Sequence, residues 1–588
     1  MRTTLTLLSL LSLAAPLAAQ TSRAARTDSL DVFVRQQMAL RRIPGLSLAI
    51  VDSGRIVYAR GYGEADVGAH SPVTAATLFQ AGSISKPVSA LGALHLVEQG
   101  KLSLDAPVND YLTSWKVPDN RFTDSQQVTL RRLLSHSAGV TVHGFPGYDV
   151  AGKVPTLVQV LDGAPPANTA PIRVDTTPGA IWRYSGGGFT IMQQAVIDVA
   201  REPFPTFMRR TVLEPIGMSS SSFEQPQPRE REQLMATGYY ADRTPVRGHW
   251  HLYPEMAAAG LWTTPSDLAR FAIEVQQALL GRGHNVISPA MARQYLTSQK
   301  GPHGLGIEVS RTNDPLVFSH GGRDEGFDAQ LVGFAATGQA LAFMINANDN
   351  SGFAGRIQRY VARLYRWPGT QPTPATALVA ARIDPARLDR YAGLYELQEN
   401  RMIQLAPTDD RTALAALTDG LPDETFLPTD SVSFRSSERP LPFVFVVATG
   451  EVTGLVWRPG EGPQELRAPR IGPLPSTLAP APDPDAALTT RIRAAVEAIA
   501  AGGATLANAQ GVTAGARKDF APGFPESAGL GELTYLDERD VAGHNIHRHG
   551  HDVARVRIYR VSKRPTSPYL FVHLTADGLV TDLDLLAR

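Results

Sequence analysis

Apolar residues recur with helical and strand periods in the N-terminal part of the chain. Leu30, Val34 and Met38 are four residues apart, which predicts an amphipathic helix. Apolar runs bounded by turn residues predict strands at 46–51, 56–58, 329–334 and 341–345. Strands at both ends of a region, with helices between them, favour an α+β domain in which an antiparallel sheet packs against helices.

One helix is predicted to be apolar on almost every side. It contains residues 88–97 and ends at Gly100, so we expect it to lie buried inside the domain. Pro87 marks its start, because proline has no N–H to donate and is tolerated only in the first helical turn. The helix therefore begins near Ser83, which places that serine at the positive end of the helix dipole.

Two proline-rich segments, 367–386 and 469–486, divide the chain after this domain. Such stretches favour extended backbone and are typical of linkers. They separate an N-terminal domain at 28–366 from a middle module at 387–468 and a last module at 487–588. Short strands between turn residues predict an all-β middle module, and a helix followed by strands predicts a small α+β module at the end. The predicted fold class is therefore multidomain α+β.

The first twenty residues have the features of a secretory signal peptide. Arg2 gives a basic start, residues 5–13 form an apolar run, and residues 14–19 offer a small-residue cleavage site. That run is too short to span a bilayer, and no later run is long enough. We expect segment 1–20 to direct export, so that the protein is periplasmic or secreted and has no membrane span.

Length, charge and cysteine content exclude several classes of function. A chain of 588 residues is long enough for about three or four domains. Lys+Arg and Asp+Glu both total 56, so net charge gives no reason to expect a nucleic-acid partner. The chain has no cysteine, which excludes disulfides, thiolate catalysis and Cys–zinc sites. The oligomeric state cannot be predicted from these data.

Three other chemistries are weighed and set aside. No G-x-S-x-G segment occurs, which argues against an α/β-hydrolase. His136 is interpreted as part of a structural turn and not of a catalytic triad, and the glycine run 186–188 lacks the Lys of a phosphate loop. A cluster of four histidines is His544, His547, His549 and His551. We interpret this cluster as a polar turn and not as a metal site.

The segment Ser83-Ile84-Ser85-Lys86 is the first candidate for chemistry. Residues at i and i+3 share a helix face, so Lys86 can reach Oγ of Ser83. Serine is a weak nucleophile without a neighbouring base, and a lysine whose charge is disfavoured by burial can be that base. The four-residue pattern S-x-x-K recurs by chance in long chains, so it needs support from elsewhere.

Two later segments supply this support, 182–188 (WRYSGGG) and 319–323 (SHGGR). In this order the three segments resemble the three motifs of the penicillin-recognising serine hydrolases. This superfamily comprises class C β-lactamases, low-molecular-weight penicillin-binding proteins, D-aminopeptidases and β-lactamase-like esterases. Tyr184 would occupy the second motif and His320 would begin the third. The resemblance covers roughly residues 28–365.

The resemblance implies a role for each of these residues. Ser83 would attack the substrate carbonyl, and Lys86 with Tyr184 would take and return its proton. The backbone N–H groups of Ser83 and Arg323 would hold the oxyanion. The substrate site would be lined by Gly186, His320, Gly321 and Gly322. The resemblance also implies a helical subdomain beside the antiparallel sheet, a lipocalin-like middle module, and neither a metal nor an organic cofactor.

Two positions depart from the family pattern. Gly186 stands where many members have an asparagine that holds the acyl-amide group of the substrate. His320 stands where β-lactamases usually have a lysine for the substrate carboxylate, and a neutral imidazole cannot replace that charge at pH 7. Arg183 and Arg323 lie next to these positions and could supply a cation instead.

These departures favour an esterase or a D-amino-acid-specific peptidase. Its substrate would be a small ester, amide or peptide, with peptidoglycan fragments among the candidates. A true β-lactamase or a DD-carboxypeptidase of the penicillin-binding type remains an alternative. An alternative of another class is a catalytically silent module that binds peptidoglycan or a protein partner.

Overall fold

The computed structural model describes residues 11–240, 242–283, 285–310, 316–349, 352–368, 381, 383–398, 401–418, 421–436, 442–457, 465–520, 524, 527–544, 546–563 and 568–586. Side chains are described from residue 26 onward, except at 397–398, 401, 418 and 421–423. The chain forms two compact units, Met1–Asp349 with Phe353–Gly369, and Asn350–Gly352 with Thr370–Arg588. None of the helices in the described part is long and apolar enough to cross a membrane.

An antiparallel sheet of seven strands organises the first unit. In order across the sheet, the strands are β3 (Ser71–Pro72), β2 (Arg55–Asp66), β1 (Gly45–Asp52), β11 (Gln339–Ile345), β10 (Phe327–Phe334), β9 (Val317–Asp324) and β8 (Glu308–Ser310). Strands from the two ends of the unit meet in the middle of the sheet, where Leu46 pairs with Ile345. The predicted antiparallel sheet is confirmed.

Two helices cover one face of this sheet, α1 (Leu11–Arg41) and α10 (Phe353–Leu364). Leu30, Val34 and Met38 of α1 are buried in the same apolar cluster as Leu48, as their spacing predicted. Residues 11–20 of the predicted signal peptide belong to α1, and residues 1–10 lie outside the described residues.

The opposite face of the sheet carries the main hydrophobic core and a layer of helices. The helices are α2 (Ser85–Glu98), α3 (Leu130–Leu134), α4 (Leu157–Asp162), α5 (Gly186–Ala200), α6 (Phe204–Met208), α7 (Met256–Ala259), α8 (Pro265–Leu280) and α9 (Pro289–Tyr295). Two short strand pairs lie among them, β4 (Phe79–Gln80) with β7 (Trp262–Thr263) and β5 (Tyr148–Asp149) with β6 (His251–Leu252). Eleven of the fourteen residues of α2 are buried, so this is the predicted buried helix.

The second unit begins with α11 (Pro385–Tyr391) and a closed antiparallel barrel. Its strands are β12 (Gly393–Gln398), β13 (Arg401–Pro407), β14 (Leu414–Thr418), β15 (Leu421–Pro428), β16 (Ser433–Ser436), β17 (Pro442–Ala448), β18 (Glu451–Trp457) and β19 (Leu466–Gly472). The barrel interior is a packed core that includes Tyr395, Phe426, Phe434 and Phe443. The all-β prediction for this region is confirmed.

The structure describes the two predicted linkers to different extents. Most of 367–386 lies outside the described residues. Strand β19 runs four residues into the predicted linker 469–486, because β19 must pair with β12 to close the barrel. The barrel also shares an apolar cluster with the sheet that follows it, so these two parts belong to one unit.

The rest of the second unit is a small α+β fold, as predicted. Three helices, α12 (Ala486–Ala501), α13 (Gly503–Ala507) and α14 (Ala514–Asp519), precede the strands β20 (Leu533–Asp540), β21 (His547–Arg548), β22 (His551–Asp552), β23 (Arg555–Val561), β24 (Tyr569–Leu574) and β25 (Val580–Leu586). The sheet order is β20-β23-β24-β25, and Leu488 and Ile492 of α12 pack against it.

The histidine cluster lies at the β21–β22 turn and contacts carboxylates. His547 pairs with Asp552 at 2.6 Å, and His549 lies 2.7 Å from Asp519 and 3.2 Å from Asp582. The hydrogen bond to Asp582 raises the pKa of His549 to about 9. Within the described ranges, no group of three or more His, Asp or Glu side chains is placed to hold a metal. Two of the four histidines, His547 and His549, therefore contact carboxylates.

Candidate active site

Ser83 lies on a single 3-10 turn, Gly82–Ile84, that leads directly into α2. Gly82 has a φ of +50°, and a Cβ at this position would lie 2.5 Å from the backbone nitrogen of Arg323 on β9. A Cβ on Gly322 would lie 2.0 Å from the carbonyl oxygen of Ala81. Glycine at both positions therefore lets β9 approach the serine turn at backbone contact distance.

Lys86 is the buried cation of the site, with an exposed fraction of 2%. Its Nζ donates hydrogen bonds to Oγ of Ser83 and to the carbonyl oxygen of Ala258, both at 2.9 Å. The same Nζ lies 4.9 Å from the ring centre of Tyr184. The structure thus brings Ser83, Lys86 and Tyr184 together, although they are far apart in the sequence.

Tyr184 is held in place through the backbone on both sides of it. The N–H of Arg183 donates to the carbonyl oxygen of His136 at 2.8 Å, and the N–H of Ser185 donates to Nδ1 of His136 at 3.1 Å. The Ser185 hydroxyl donates to the carbonyl oxygen of Thr141 at 2.8 Å and caps α5. His136 therefore has the structural role expected of it, but its ring lies inside the site.

Phe145 fills the space beside Gly186. A Cβ on Gly186 would lie 2.9 Å from Cε2 of Phe145 and 3.1 Å from the carbonyl oxygen of His143. That carbonyl accepts a hydrogen bond of 2.9 Å from the N–H of Gly186, which fixes the two segments together. The volume in which an asparagine side chain would lie is therefore occupied by an aromatic ring.

Four imidazole rings surround the ring of Tyr184. The distances between ring centres are 4.3 Å to His136, 4.9 Å to His143, 6.2 Å to His303 and 6.2 Å to His320. Only His320 was expected in the substrate site. His303 lies in a glycine-rich segment, Pro302-His303-Gly304-Leu305-Gly306, whose unusual composition was the one available sequence signal.

All four imidazoles are neutral at pH 7. Burial, together with the charge of Lys86, lowers the pKa of His320 to about 3 and that of His303 to about 4. Burial also holds the pKa of His136 well below its usual value, and it lowers the pKa of His143. The imidazoles around Tyr184 therefore add no positive charge to that of Lys86.

The two arginines next to the motifs are paired with carboxylates. Arg183 donates to Asp175. Arg323 forms two parallel hydrogen bonds with Asp328, from Nε at 2.7 Å and from Nη2 at 2.6 Å. Bidentate pairs of this kind hold the guanidinium in a fixed geometry. Each side chain would have to share its guanidinium with this carboxylate, or leave it, in order to bind a substrate carboxylate.

Two buried carboxyl groups near the site were missed by the sequence analysis. Burial raises the pKa of the Glu255 carboxyl to about 7, and Tyr148 donates a weak hydrogen bond to it at 3.4 Å. Burial also raises the pKa of the Asp324 carboxyl well above its usual range, against the opposing charge of Lys86. Asp324 directly follows the third motif, so its position could have been predicted, whereas nothing in the sequence distinguishes Glu255.

The sequence of residues 30–365 matches the profile of a family described as Beta-lactamase, and this match spans more than half of the chain. The chain belongs to the beta-lactamase family. Members of this family are serine hydrolases, and the chain is an enzyme of that class. The family predicted from the three sequence motifs is confirmed.

Similar proteins carry several names within this family. The putative penicillin-binding protein PbpX of Bacillus subtilis (strain 168) is 24% identical over 320 residues, which are 54% of this chain and 73% of that protein. Esterase EstB of Burkholderia gladioli is 29% identical over 224 residues, 36% of this chain and about half (55%) of that protein. The octameric penicillin-binding protein homologue from Pyrococcus abyssi has 21% identity and a TM-score of 0.52, over 75% of this chain and 99% of the other, which shows the shared fold.

Proposed function

We propose that this family member is an exported serine esterase that works through an acyl-enzyme on Ser83. The observation that carries the proposal is the 2.9 Å hydrogen bond between Nζ of a buried Lys86 and Oγ of Ser83. A buried lysine in contact with a serine hydroxyl is positioned to accept and return its proton. Tyr184 lies against Nζ of Lys86 and would complete the proton-transfer pair. This pair would lack one proton when Ser83 attacks, either as a neutral amine beside a phenol or as an ammonium beside a phenolate.

The proposed reaction has two steps that use the same groups. Oγ of Ser83 attacks the ester carbonyl carbon, its proton passes to the Lys86–Tyr184 pair, and the alcohol leaves with that proton as the ester C–O bond breaks. Water then attacks the acyl carbon, the pair takes the water proton and returns it to Ser83, and the carboxylic acid is released. The close approach of Arg323 to the serine turn supports an oxyanion site formed by the N–H groups of Ser83 and Arg323.

Three observations favour neutral esters over β-lactams. His320 is uncharged at pH 7, the neighbouring arginines are paired with Asp175 and Asp328, and Phe145 takes the place of an amide-binding side chain. The substrate carboxylate and acyl-amide group of a penicillin would both lack their usual partners. Losing one charge-assisted contact costs about 1.5–3 kcal/mol, or roughly one to two decades in rate.

A substrate panel on the purified protein tests this assignment. It compares kcat/KM for short p-nitrophenyl esters, D-amino acid amides, D-Ala-D-Ala peptides and nitrocefin. We expect the esters to give the highest values and nitrocefin a weak turnover. A nitrocefin value above all others would make the protein a true β-lactamase. The highest value on D-amino acid amides would make it a D-amino-acid-specific peptidase, and the highest value on D-Ala-D-Ala peptides would make it a DD-carboxypeptidase.

Two parts of the chain are proposed to act outside the chemistry. Segment 1–20 would direct export, on the strength of its basic start, apolar run and small-residue cleavage site. The second unit would contribute stability or control access to the active site, because every motif residue lies in the first unit.

Covalent labelling by a fluorophosphonate distinguishes an active enzyme from a catalytically silent binding module, since only the enzyme reacts at Ser83.

A further inference from the structure

Three buried histidines beside Tyr184 have ring nitrogens without a hydrogen-bond partner in the part of the chain that the structure describes. These atoms are Nε2 of His136, both nitrogens of His303, and Nε2 of His320. The exposed fractions of the three residues are 2%, 1% and 3%. Leaving a buried polar group unpaired costs about 1–3 kcal/mol, so nitrogens this deeply buried are expected to find partners.

The hydrogen bonds at the two outer rings fix where their protons are. Nδ1 of His136 accepts from the N–H of Ser185 at 3.1 Å, so a neutral His136 carries its proton on Nε2. Nδ1 of His320 lies 2.6 Å from the carbonyl oxygen of Gly321, so it must donate, and Nε2 of His320 is left as an acceptor. The unpaired atoms are therefore one donor, on His136, and one acceptor, on His320.

The ring of His303 lies close to both of these rings. Its ring centre is 4.8 Å from that of His136, at an interplanar angle of 85°, and 6.3 Å from that of His320. A neutral imidazole has one donor and one acceptor. His303 can therefore accept from a water bound to His136 and donate to a water bound to His320, which would satisfy all four unpaired nitrogens at once.

Trp182 shields this arrangement from one side. Its ring stacks on His303 with 5.3 Å between ring centres, and it also packs on Gly301, where a Cβ would lie 2.9 Å from Cγ of Trp182. Trp182 is itself 38% exposed. The tryptophan thus closes the site over His303.

We propose that His303 joins His136 and His320 in a hydrogen-bonded chain in which a water bridges neighbouring rings. The chain runs from Nε2–H of His136 through His303 to Nε2 of His320. His303 is then a positioning residue that holds the His320 ring in one orientation beside Tyr184. The effect on turnover rests on the proposed function, whereas the hydrogen-bonded chain itself does not.

Nitrogen-detected NMR of the wild-type protein at pH 7 tests the chain without reference to activity. We expect His136 to be the Nε2–H tautomer and His320 the Nδ1–H tautomer, each with a slowly exchanging proton. His303→Phe keeps an aromatic ring under Trp182 but has no nitrogen. Ser185 and Gly321 still fix the two tautomers in this variant, so we expect the Nε2 resonances of His136 and His320 to shift and the His136 ring proton to exchange faster. The opposite tautomer on either ring in the wild type, or unchanged spectra in His303→Phe, would overturn the proposal.

Kinetics on a p-nitrophenyl ester provide the second readout. We expect His303→Phe to lose about five- to thirtyfold in kcat/KM, the equivalent of one or two hydrogen bonds. His303→Gln keeps a donor and an acceptor and is expected to stay within about threefold of the wild type. The exposed His70 is the matched control, and His70→Phe is expected to be as active as the wild type. Equal losses in His303→Phe and His303→Gln would contradict the proposal.

The two proposals fail in different ways. If Ser83→Ala hydrolyses esters at the wild-type rate, the proposed function is wrong, and the tautomers still report on the chain. If Ser83 is labelled normally and His303→Phe has wild-type kcat/KM, the positioning role of His303 is wrong and the acyl-enzyme mechanism stands.

Discussion

Gly186→Asn tests how tightly Phe145 closes the position beside the second motif. The new Cβ would lie 2.9 Å from Cε2 of Phe145 and 3.1 Å from the carbonyl oxygen of His143, both shorter than ordinary contact distances. The carbonyl cannot retreat easily, because it accepts the hydrogen bond from the N–H of residue 186. Inserting atoms into a filled site typically costs about 1–3 kcal/mol, so we expect the single variant to be destabilised by that amount.

Phe145→Ala is the matched second change, because it removes the ring that the new side chain would meet. Unfolding in urea of the wild type, both single variants and the double variant gives a coupling free energy. We expect at least about 1 kcal/mol of coupling, with the double variant more stable than the sum of the single effects predicts. The double variant should also raise the ratio of nitrocefin to ester kcat/KM by about two- to tenfold, as one new hydrogen bond to an acyl-amide allows.

Two results would refute this reasoning. Wild-type stability of Gly186→Asn would show that position 186 has room for a side chain. Strict additivity of the two substitutions would show that Phe145 does not occupy the space in question.

Three further predictions concern the base, the buried acid and the domain boundary. Lys86→Met keeps the buried volume but not the amine, so ester turnover should fall by at least about a thousandfold without loss of folding, measured by kinetics and circular dichroism. Burial raises the pKa of Glu255 from 4.5 to about 7, so the contribution of this group to stability is greatest below pH 4.5 and is lost as pH rises through 7. Glu255→Gln should therefore be more stable than the wild type at pH 8, by on the order of 3 kcal/mol in chemical denaturation. A chain truncated after Gly369 should still react with a fluorophosphonate, because Trp367, which packs on Phe334 at 5.2 Å between ring centres, is retained.

Local rules were sufficient for the Ser83–Lys86 contact. Pro87 fixed the start of α2, and the i to i+3 spacing placed the amine next to the hydroxyl, where the structure has it at 2.9 Å. The sheet was predictable for a related reason, because the apolar runs in Gly45–Asp52 and Gln339–Ile345 are typical of strands buried on both faces. Both features follow from patterns within a short stretch of sequence.

Phe145, His303 and Glu255 could not be found in this way. Each reaches the site from a loop or a short turn, and its position depends on contacts with segments distant in the sequence.

The proline-rich segment after residue 468 was misleading for another reason. Proline in a run argues against a strand, yet Pro469 lies in β19 opposite Gly454, since closure of the barrel determines the pairing there.

The direct test of the central claim is the mass of the protein after a short incubation with a p-nitrophenyl ester and a rapid acid quench. Peptide mapping is expected to place one acyl group on Ser83 in the wild type. Ser83→Ala should carry no acyl group and show no turnover. An acyl group on another residue, or full ester turnover by Ser83→Ala, would contradict the acyl-enzyme mechanism proposed for this protein.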